Sequence, residues 1–416
     1  MKKVLLGTLA VLTLAACSKD EVVQQNPNDA ISFTATTNKA ISRAADGYCN
    51  NELPTDFQVW AEVDNKNYFA QERYVKSGDV YLISGAVRYW PESTTQEINF
   101  FAACNKGKGA QSEISITGWT SAAIATPANK IIEGYTIETT VADQKDLLYA
   151  VVAGAKRPAT PGFDGKQNIN FRHALSQIEF AAVNQNPKIY VEISQVQVVR
   201  VNNKGDFKFP TVSTTDNVEE HTFAGTYPLA TTIGSWDNQT GDATYKTTEF
   251  AAVKLSQIGY DEGTSTYTGS QAAASSLTID DPTSPKHEYN ENTMYLLPQD
   301  VTAWDPSVKA IPAEGTGAYF LVKTKIWNVA AGDGHRAAAD EIVLWGDASG
   351  KDIAVPVPTI TWEPGKRYVY TFTFTTTGNA GTDPDNGNPV LVPIKLNVTV
   401  DDFVNGGVDD PVNMNK

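Results

Sequence analysis

Along most of this chain apolar and polar residues alternate one by one. Val390, Val392, Ile394, Leu396, Val398 and Val400 keep the rhythm without a break. Ile31-Ser32-Phe33-Thr34-Ala35 keeps it early in the chain, as do Phe57–Val63, Ile114–Ile116, Ile193–Val198 and Tyr368–Phe374. A period of two sends successive side chains to opposite faces of a strand, one buried and one wet. That is the pattern of antiparallel sheets. Thr, Val, Tyr and Phe fill the runs, as a pleated, half-buried surface prefers. Turn chemistry separates them, in Asn203-Lys204-Gly205-Asp206 and Asp383-Pro384-Asp385-Asn386-Gly387-Asn388-Pro389. Helical spacing is scarce: Ser121–Ala125 and Ala272–Leu277 are short helices at best. Strands fall about 8–12 residues apart with no fixed longer repeat, so the expected class is all-β, built as sandwiches rather than a propeller.

The segment Lys156-Arg157-Pro158-Ala159-Thr160-Pro161-Gly162 breaks the pattern with two prolines and a glycine. A strand-like run at Leu147–Val152 closes the part before it, and another at Ile169–Val183 opens the part after it. The expected division is a domain over 44–158 and a larger one over 159–416. The larger one carries polar insertions at Ser235–Thr248 and Gly259–Glu291, read as loops.

The chain begins with Lys2-Lys3 and an apolar run from Val4 to Ala16. That run is shorter than the roughly 20 residues a membrane-spanning helix needs. It reads as an export signal over 1–16, outside the fold. Leu14-Ala15-Ala16-Cys17 resembles a bacterial lipobox, in which the cysteine is lipidated (a palmitate-type anchor) and starts the mature chain. Ser18-Lys19-Asp20-Glu21 resembles the surface-export signal of Bacteroidetes lipoproteins. One acylated Cys17 would hold the chain on an outer membrane, not through it. Cys49 and Cys104 remain. The compartment permits a bridge between them, and a buried, unpaired Cys104 is the equal alternative.

Little in the sequence points to catalysis. With 33 Lys+Arg against 48 Asp+Glu the net charge is −15, which disfavours a nucleic-acid surface. Four His and three Cys leave little material for metal or nucleophile chemistry. His173 sits in a strand-like run with no Gly-x-Ser-x-Gly elbow anywhere to supply a nucleophile, so a structural role is expected. Asp383-Pro384-Asp385-Asn386-Gly387 resembles the start of a calcium loop but lacks its later acids, so a turn is expected. No catalytic residue, metal or cofactor is assigned. Among the tryptophans, Trp60, Trp90, Trp327 and Trp345 read as core. Trp119, Trp236 and Trp304 lie near loops and are the candidates for ligand contact.

Several short motifs then stand in a characteristic order. Ile31-Ser32-Phe33-Thr34-Ala35-Thr36 follows the lipoprotein start, and Asp146-Leu147-Leu148-Tyr149-Ala150 precedes Asn170-Phe171-Arg172-His173-Ala174-Leu175-Ser176-Gln177-Ile178. Tyr295-Leu296-Leu297-Pro298 precedes Trp362-Glu363-Pro364-Gly365-Lys366-Arg367-Tyr368, and Leu396-Asn397-Val398-Thr399-Val400-Asp401-Asp402 comes last. In order and spacing the chain resembles the fimbrillins, the type V pilins of Bacteroidetes. The resemblance implies two tandem transthyretin-like (Greek-key) β-sandwich domains with long loop insertions. It implies an outer membrane lipoprotein precursor trimmed by an Arg-specific protease, and assembly with other fimbrial subunits into a cell-surface fimbrium. The cut would fall between Arg43 and Ala44, releasing a tether and first strand over 17–43 in which Ile31, Phe33 and Ala35 point inward. A strand from the next subunit would fill the slot by strand addition. The donor candidate is 389–403, with Val390, Val392, Ile394, Leu396, Val398 and Val400 on one face. The plain alternative is that this is simply the last internal strand. Pro393, on the opposite face, would put it at a sheet edge. Two further roles stay open: a tip or anchor subunit, or a surface lipoprotein that binds a host or bacterial glycan or protein and does not polymerise.

Overall fold

The computed structural model describes residues 29–37, 53–64, 66–107, 112–113, 131–157, 165–210, 233–255, 260–261, 266–267, 274–277, 292–329 and 342–402. Apart from short 3₁₀ turns such as Val141–Asp143 and Pro312–Glu314, its regular structure is strand. In the first half run β1 (Ser32–Thr37), β2 (Asp56–Val63), β3 (Lys66–Ser77), β4 (Val80–Ile83), β5 (Glu97–Gly107), β6 (Ser112–Glu113), β7 (Ile131–Thr136), β8 (Lys145–Lys156) and β9 (Lys166–His173). There follow β10 (Ser176–Asn184), β11 (Ile189–Val201), β12 (Lys204–Lys208), β13 (Ser235–Thr240), β14 (Ala243–Lys246), β15 (Val253–Leu255), β16 (Tyr260–Asp261), β17 (Thr266–Tyr267) and β18 (Ser275–Ser276). The last are β19 (Met294–Leu296), β20 (Asp300–Val301), β21 (Tyr319–Asn328), β22 (Ile342–Trp345), β23 (Lys351–Pro356), β24 (Ile360–Thr361), β25 (Lys366–Phe374), β26 (Ala380–Thr382) and β27 (Pro389–Asp402).

The first sheet has the order β2-β3-β4-β1-β9-β8-β5-β6, and β2 also pairs with β5. That extra pairing closes the sheet on itself, leaving β6 as a spur. A closed sheet keeps one apolar face inside, and here Phe33, Phe57, Tyr74, Phe100, Leu148 and Phe171 fill it. The fold is all-β as expected, and the β2–β5 pairing closes the sheet of this half into a barrel-like ring where it could have stayed open. Alternation could not distinguish the two, because both bury one face of each strand.

The second assembly is two layers that share a strand. One runs β14-β11-β21-β23-β26-β27 and the other β27-β25-β10-β18. The first part of β27 pairs with β26, up to Pro393 opposite Ala380. From Ile394 to Asp402 it pairs with β25. Strands that switch sheets make the corners of β-sandwiches. Pro393, with no N–H to give, stands at the switch, where neither ladder needs one. The expectation of a simple edge strand is therefore corrected: β27 is the corner. The two layers meet through aromatic rings. Phe320 of β21 lies 5.5 Å from Phe180, 4.9 Å from Tyr370 and 5.6 Å from Phe372 on the facing layer.

Pairing passes from the first assembly to the second at Ala174 and Leu175, between β9 and β10. This joint is held from several sides. Ala174 N donates to Leu147 O at 2.8 Å, Gly365 N to Leu175 O at 2.9 Å, and Trp236 Nε1 to Ala174 O at 2.6 Å. Just before it, the fully buried His173 Nδ1 is hydrogen-bonded to Asp146, the structural role expected of it. A ribbon of β13, β12 and β7 joins strands from both halves of the chain.

Three local expectations change. Ser235–Thr248 is not a plain loop: it carries β13 and β14, with Ala243 and Tyr245 buried beneath polar neighbours. Their Asn, Asp and Thr content hid the alternation. Within Ala272–Leu277, Ser275–Ser276 is strand, paired to β10. Two pairs are parallel, β1 with β9 and β10 with β25, where alternation suggested antiparallel partners throughout.

Phe320→Ala is expected to cost about 3–5 kcal/mol, the usual range for emptying a phenylalanine site in a packed core. Leu391→Ala, at a side chain 86% exposed, should stay within about 0.5 kcal/mol of wild type. Urea titrations of the two variants check both.

Candidate assembly site

The chemistry of interest lies at the first and last strands. In β1 and the residue before it, Ile31 and Phe33 are buried and Ala35 packs against the same core, the inward set read from the sequence. Phe33 is ringed edge-on by Tyr74 at 4.7 Å, Phe100 at 5.2 Å and Phe57 at 5.9 Å. On one side β1 lies parallel to β9, from Ser32 opposite Lys166 to Thr37 opposite Phe171. On the other, among the described residues, it meets β4 only at Phe33 opposite Tyr81. A bridge from Ala30 to Tyr89 and a bond from Ile31 N to Arg88 O at 2.8 Å extend that seam.

The entry to β1 is clamped. Arg157 Nη2 donates to both carboxylate oxygens of Asp29, at 2.9 and 2.8 Å. Trp90 N donates to Asp29 O at 2.9 Å, and Trp90 Nε1 to Gly165 O at 3.0 Å. Asp29 and Arg157 lie 128 residues apart. No periodicity or motif ties residues so distant, and the sequence reading missed this pair.

If β1 were removed, the sheet would still be continuous, because β4-β3-β2 stays joined to β5-β8-β9 through β2 and β5. What would remain is a gap flanked by β4 and β9, with unpaired backbone groups on both rims and three aromatic rings at its floor. Such an edge invites an extended segment.

The strand β27 divides in character along its length. Val390, Val392 and Ile394 are buried in the sandwich at 3%, 2% and 6% exposure. Leu396 and Val398 are half-buried, and Val400 is 40% exposed. Beside the buried half, Asp383 anchors the turn that leads into β27. Its carboxylate accepts Lys351 Nζ at 2.8 Å, Asn386 Nδ2 at 2.9 Å and Asp385 N at 3.1 Å. The ammonium also reaches Asp385 at 3.1 Å and lies 4.7 Å over the Trp345 ring. The acidic run is thus a turn around the protein's own cation. Burial pushes the Asp383 carboxyl up, but the Lys351 ammonium and the turn's N–H groups outweigh it and hold it below the ordinary value.

The other expected residues fall as follows. Cys17, Arg43, Ala44, Cys49 and Trp119 lie outside the described residues. Cys104 is a buried free thiol, which burial pushes well above its ordinary pKa, with the Asp146 charge adding to the rise. Trp304 is corrected as a ligand contact: it is 1% exposed, its N–H goes to Lys309 O at 2.9 Å, and it packs on Tyr319. Trp236 is half-buried against Tyr135 and Phe207. A loop position had suggested exposure for both, but Trp236 lies on β13 and the loop that carries Trp304 folds back over a sheet face. Trp60, Trp90 and Trp327 are buried, as read, and Trp345 is half-buried.

Residues 23–400 match the family described as fimbrillin-like. Among solved structures, the chain is similar to a fimbrial protein from Bacteroides vulgatus, at 13% identity and a TM-score of 0.46, covering 90% of this chain and 99% of that one. It is also similar to a candidate cell adhesion protein from Bacteroides ovatus, at 12% identity and a TM-score of 0.41, covering 90% and 98%. No curated protein matches it.

Asp383→Asn gives a pH test of the turn. A carboxyl held below its ordinary value of 3.8 adds stability that is complete above that value and is lost as pH falls through the folded-state value. Wild type should therefore lose melting temperature more steeply than Asp383→Asn between about pH 5 and pH 2. Parallel curves would show that the Lys351 contact adds nothing.

Proposed function

The chain belongs to the fimbrillin-like family, and from that premise we propose that it is a structural subunit of a cell-surface fimbria. In this reading it is exported as a lipoprotein acylated at Cys17 and trimmed between Arg43 and Ala44 by an Arg-specific protease. It then polymerises by exchanging its first strand for a strand of another copy. Two units share the work, one accepting a strand and one giving it. The protein acts by assembly rather than by catalysis.

The observation that carries the reading is the place of β1. It completes a closed sheet, carries the central aromatic plug Phe33, and can leave without cutting the remaining strands apart. A segment that is both essential to closure and topologically removable suits a strand that is traded. The donor half follows from burial in β27. Val390, Val392 and Ile394 fill the chain's own sandwich. Leu396 and Val398 only partly bury against that core and Val400 is exposed, so giving this half to a neighbour would cost the core less than giving Val390, Val392 and Ile394, although it would break the ladder with β25.

The test is an intact mass and N-terminal sequence of protein sheared from producing cells. The expected chain begins at Ala44 and is accompanied by a ladder of oligomers. Arg43→Ala should abolish both the new N-terminus and the ladder. A chain that still begins at acylated Cys17, with no oligomers, overturns the proposal in favour of an anchor or a surface binding lipoprotein.

A further inference from the structure

We propose that Arg157 sets the direction and register of the incoming strand. The occupant of the vacated slot is residues 396–402 of a second copy, running opposite to β1. This rests on the strand-exchange reading above.

The first ground is charge. Asp29 precedes Ile31 by two residues, in the turn that leads into β1, just beyond the inward set Ile31, Phe33 and Ala35. Its carboxylate holds the Arg157 guanidinium in a bidentate contact at the mouth of the slot, with the two side chains only 28% and 20% exposed. When the segment up to Arg43 departs, that carboxylate departs with it. The less buried apolar triplet of β27, Leu396 and Val398 packed partly against the core and Val400 exposed, is followed in phase by Asp402. Laid in reverse, Asp402 takes the place of Asp29, Val400 of Ile31, Val398 of Phe33 and Leu396 of Ala35. Laid in the same direction as β1, Leu396 would replace Ile31 and Ile394 would face the guanidinium. Only the reversed strand returns a carboxylate to Arg157.

The second ground is the ladder. The pairing of β1 with β9 is parallel from Ser32 to Thr37, whereas its antiparallel contact with β4 is the single pair Phe33 and Tyr81. Parallel pairing is slightly less stable per residue than antiparallel. A reversed strand converts the long ladder to the better geometry and gives up the shorter antiparallel seam, the Phe33–Tyr81 pair with the Ala30–Tyr89 bridge and the Ile31 to Arg88 bond.

Size adds a consequence. Valine is smaller than the phenylalanine it replaces among Tyr74, Phe100 and Phe57, so this register leaves the slot underfilled at position 398.

The experiment uses the processed chain beginning at Ala44. Asp402→Lys and Arg157→Glu should each slow assembly about tenfold, and the two together should restore it, because the pair is re-formed with its charges swapped. Val398→Phe should make the assembled form more resistant to urea. In a Cys49→Ser background, Asn168→Cys should cross-link to Asn397→Cys between copies, since the reversed register places residue 397 where Thr34 faces Asn168. Cross-linking to Thr399→Cys instead marks the same direction and overturns the proposal, as does wild-type assembly by Asp402→Lys. A folded chain lacking 396–416 that still polymerises overturns the donor itself. A wild-type processed chain that stays monomeric sinks both readings.

Discussion

Closure of the first sheet depends on one strand, and the rest of that unit is arranged around it. In chain order β1 is the first strand of the ring and β9 the last, and the ring closes where these two pair. A closed sheet has no edge to protect, which removes the main hazard of an all-β surface. The strand that confers this is not woven into the middle of the unit. Every other neighbouring pair in the ring survives its loss. Phe33 concentrates the dependence further, since three aromatic rings from three other strands converge on its side chain.

The second unit solves its edges differently. It folds two ladders face to face and uses β27 as their common corner, with Pro393 at the crossing. A strand shared in this way has one flank committed in each half. Its first half is locked by burial and by the Asp383 turn, which Lys351 holds against β23. Its second half is held by the ladder with β25 and by Leu396 and Val398, which are only partly buried against the core, while Val400 is exposed. The unit is therefore firm at its corner and loose beyond it.

Much of this was legible in the sequence, and the reason is periodicity. The all-β class, the inward set of β1 and the inward face of Val390 to Ile394 are all consequences of alternation. Alternation says which side chains are buried, not which strand lies beside which. It could not show that β1 pairs in parallel with β9, that the first sheet closes, or that β27 changes layers. It also failed where polar residues dominate short strands, as in β13 and β14, and where loop tryptophans turn back onto a sheet, as Trp304 does. The clamp between Asp29 and Arg157 was invisible for another reason. Both residues are ordinary surface types in sequence, and only the fold brings them together.

The same arrangement explains why cleavage would have to come first. A strand joined to its own chain competes for its slot at an effective concentration of the order of millimolar, far above what free subunits offer on a cell surface. No donor from another copy displaces it at equilibrium while the peptide link holds, unless the donor binds very much better. Leu396, Val398 and Val400 are each smaller than Phe33, so as the proposed donor they would fill the slot less well. Cutting the link changes the contest without changing any contact. In the proposed scheme the released strand would dilute away, the rims of β4 and β9 would be left unpaired, and a smaller donor would suffice. Under the proposed strand exchange, a modest donor and a well-fitted resident strand would be two parts of one device, in which the resident would prevent premature assembly and its removal would make assembly downhill.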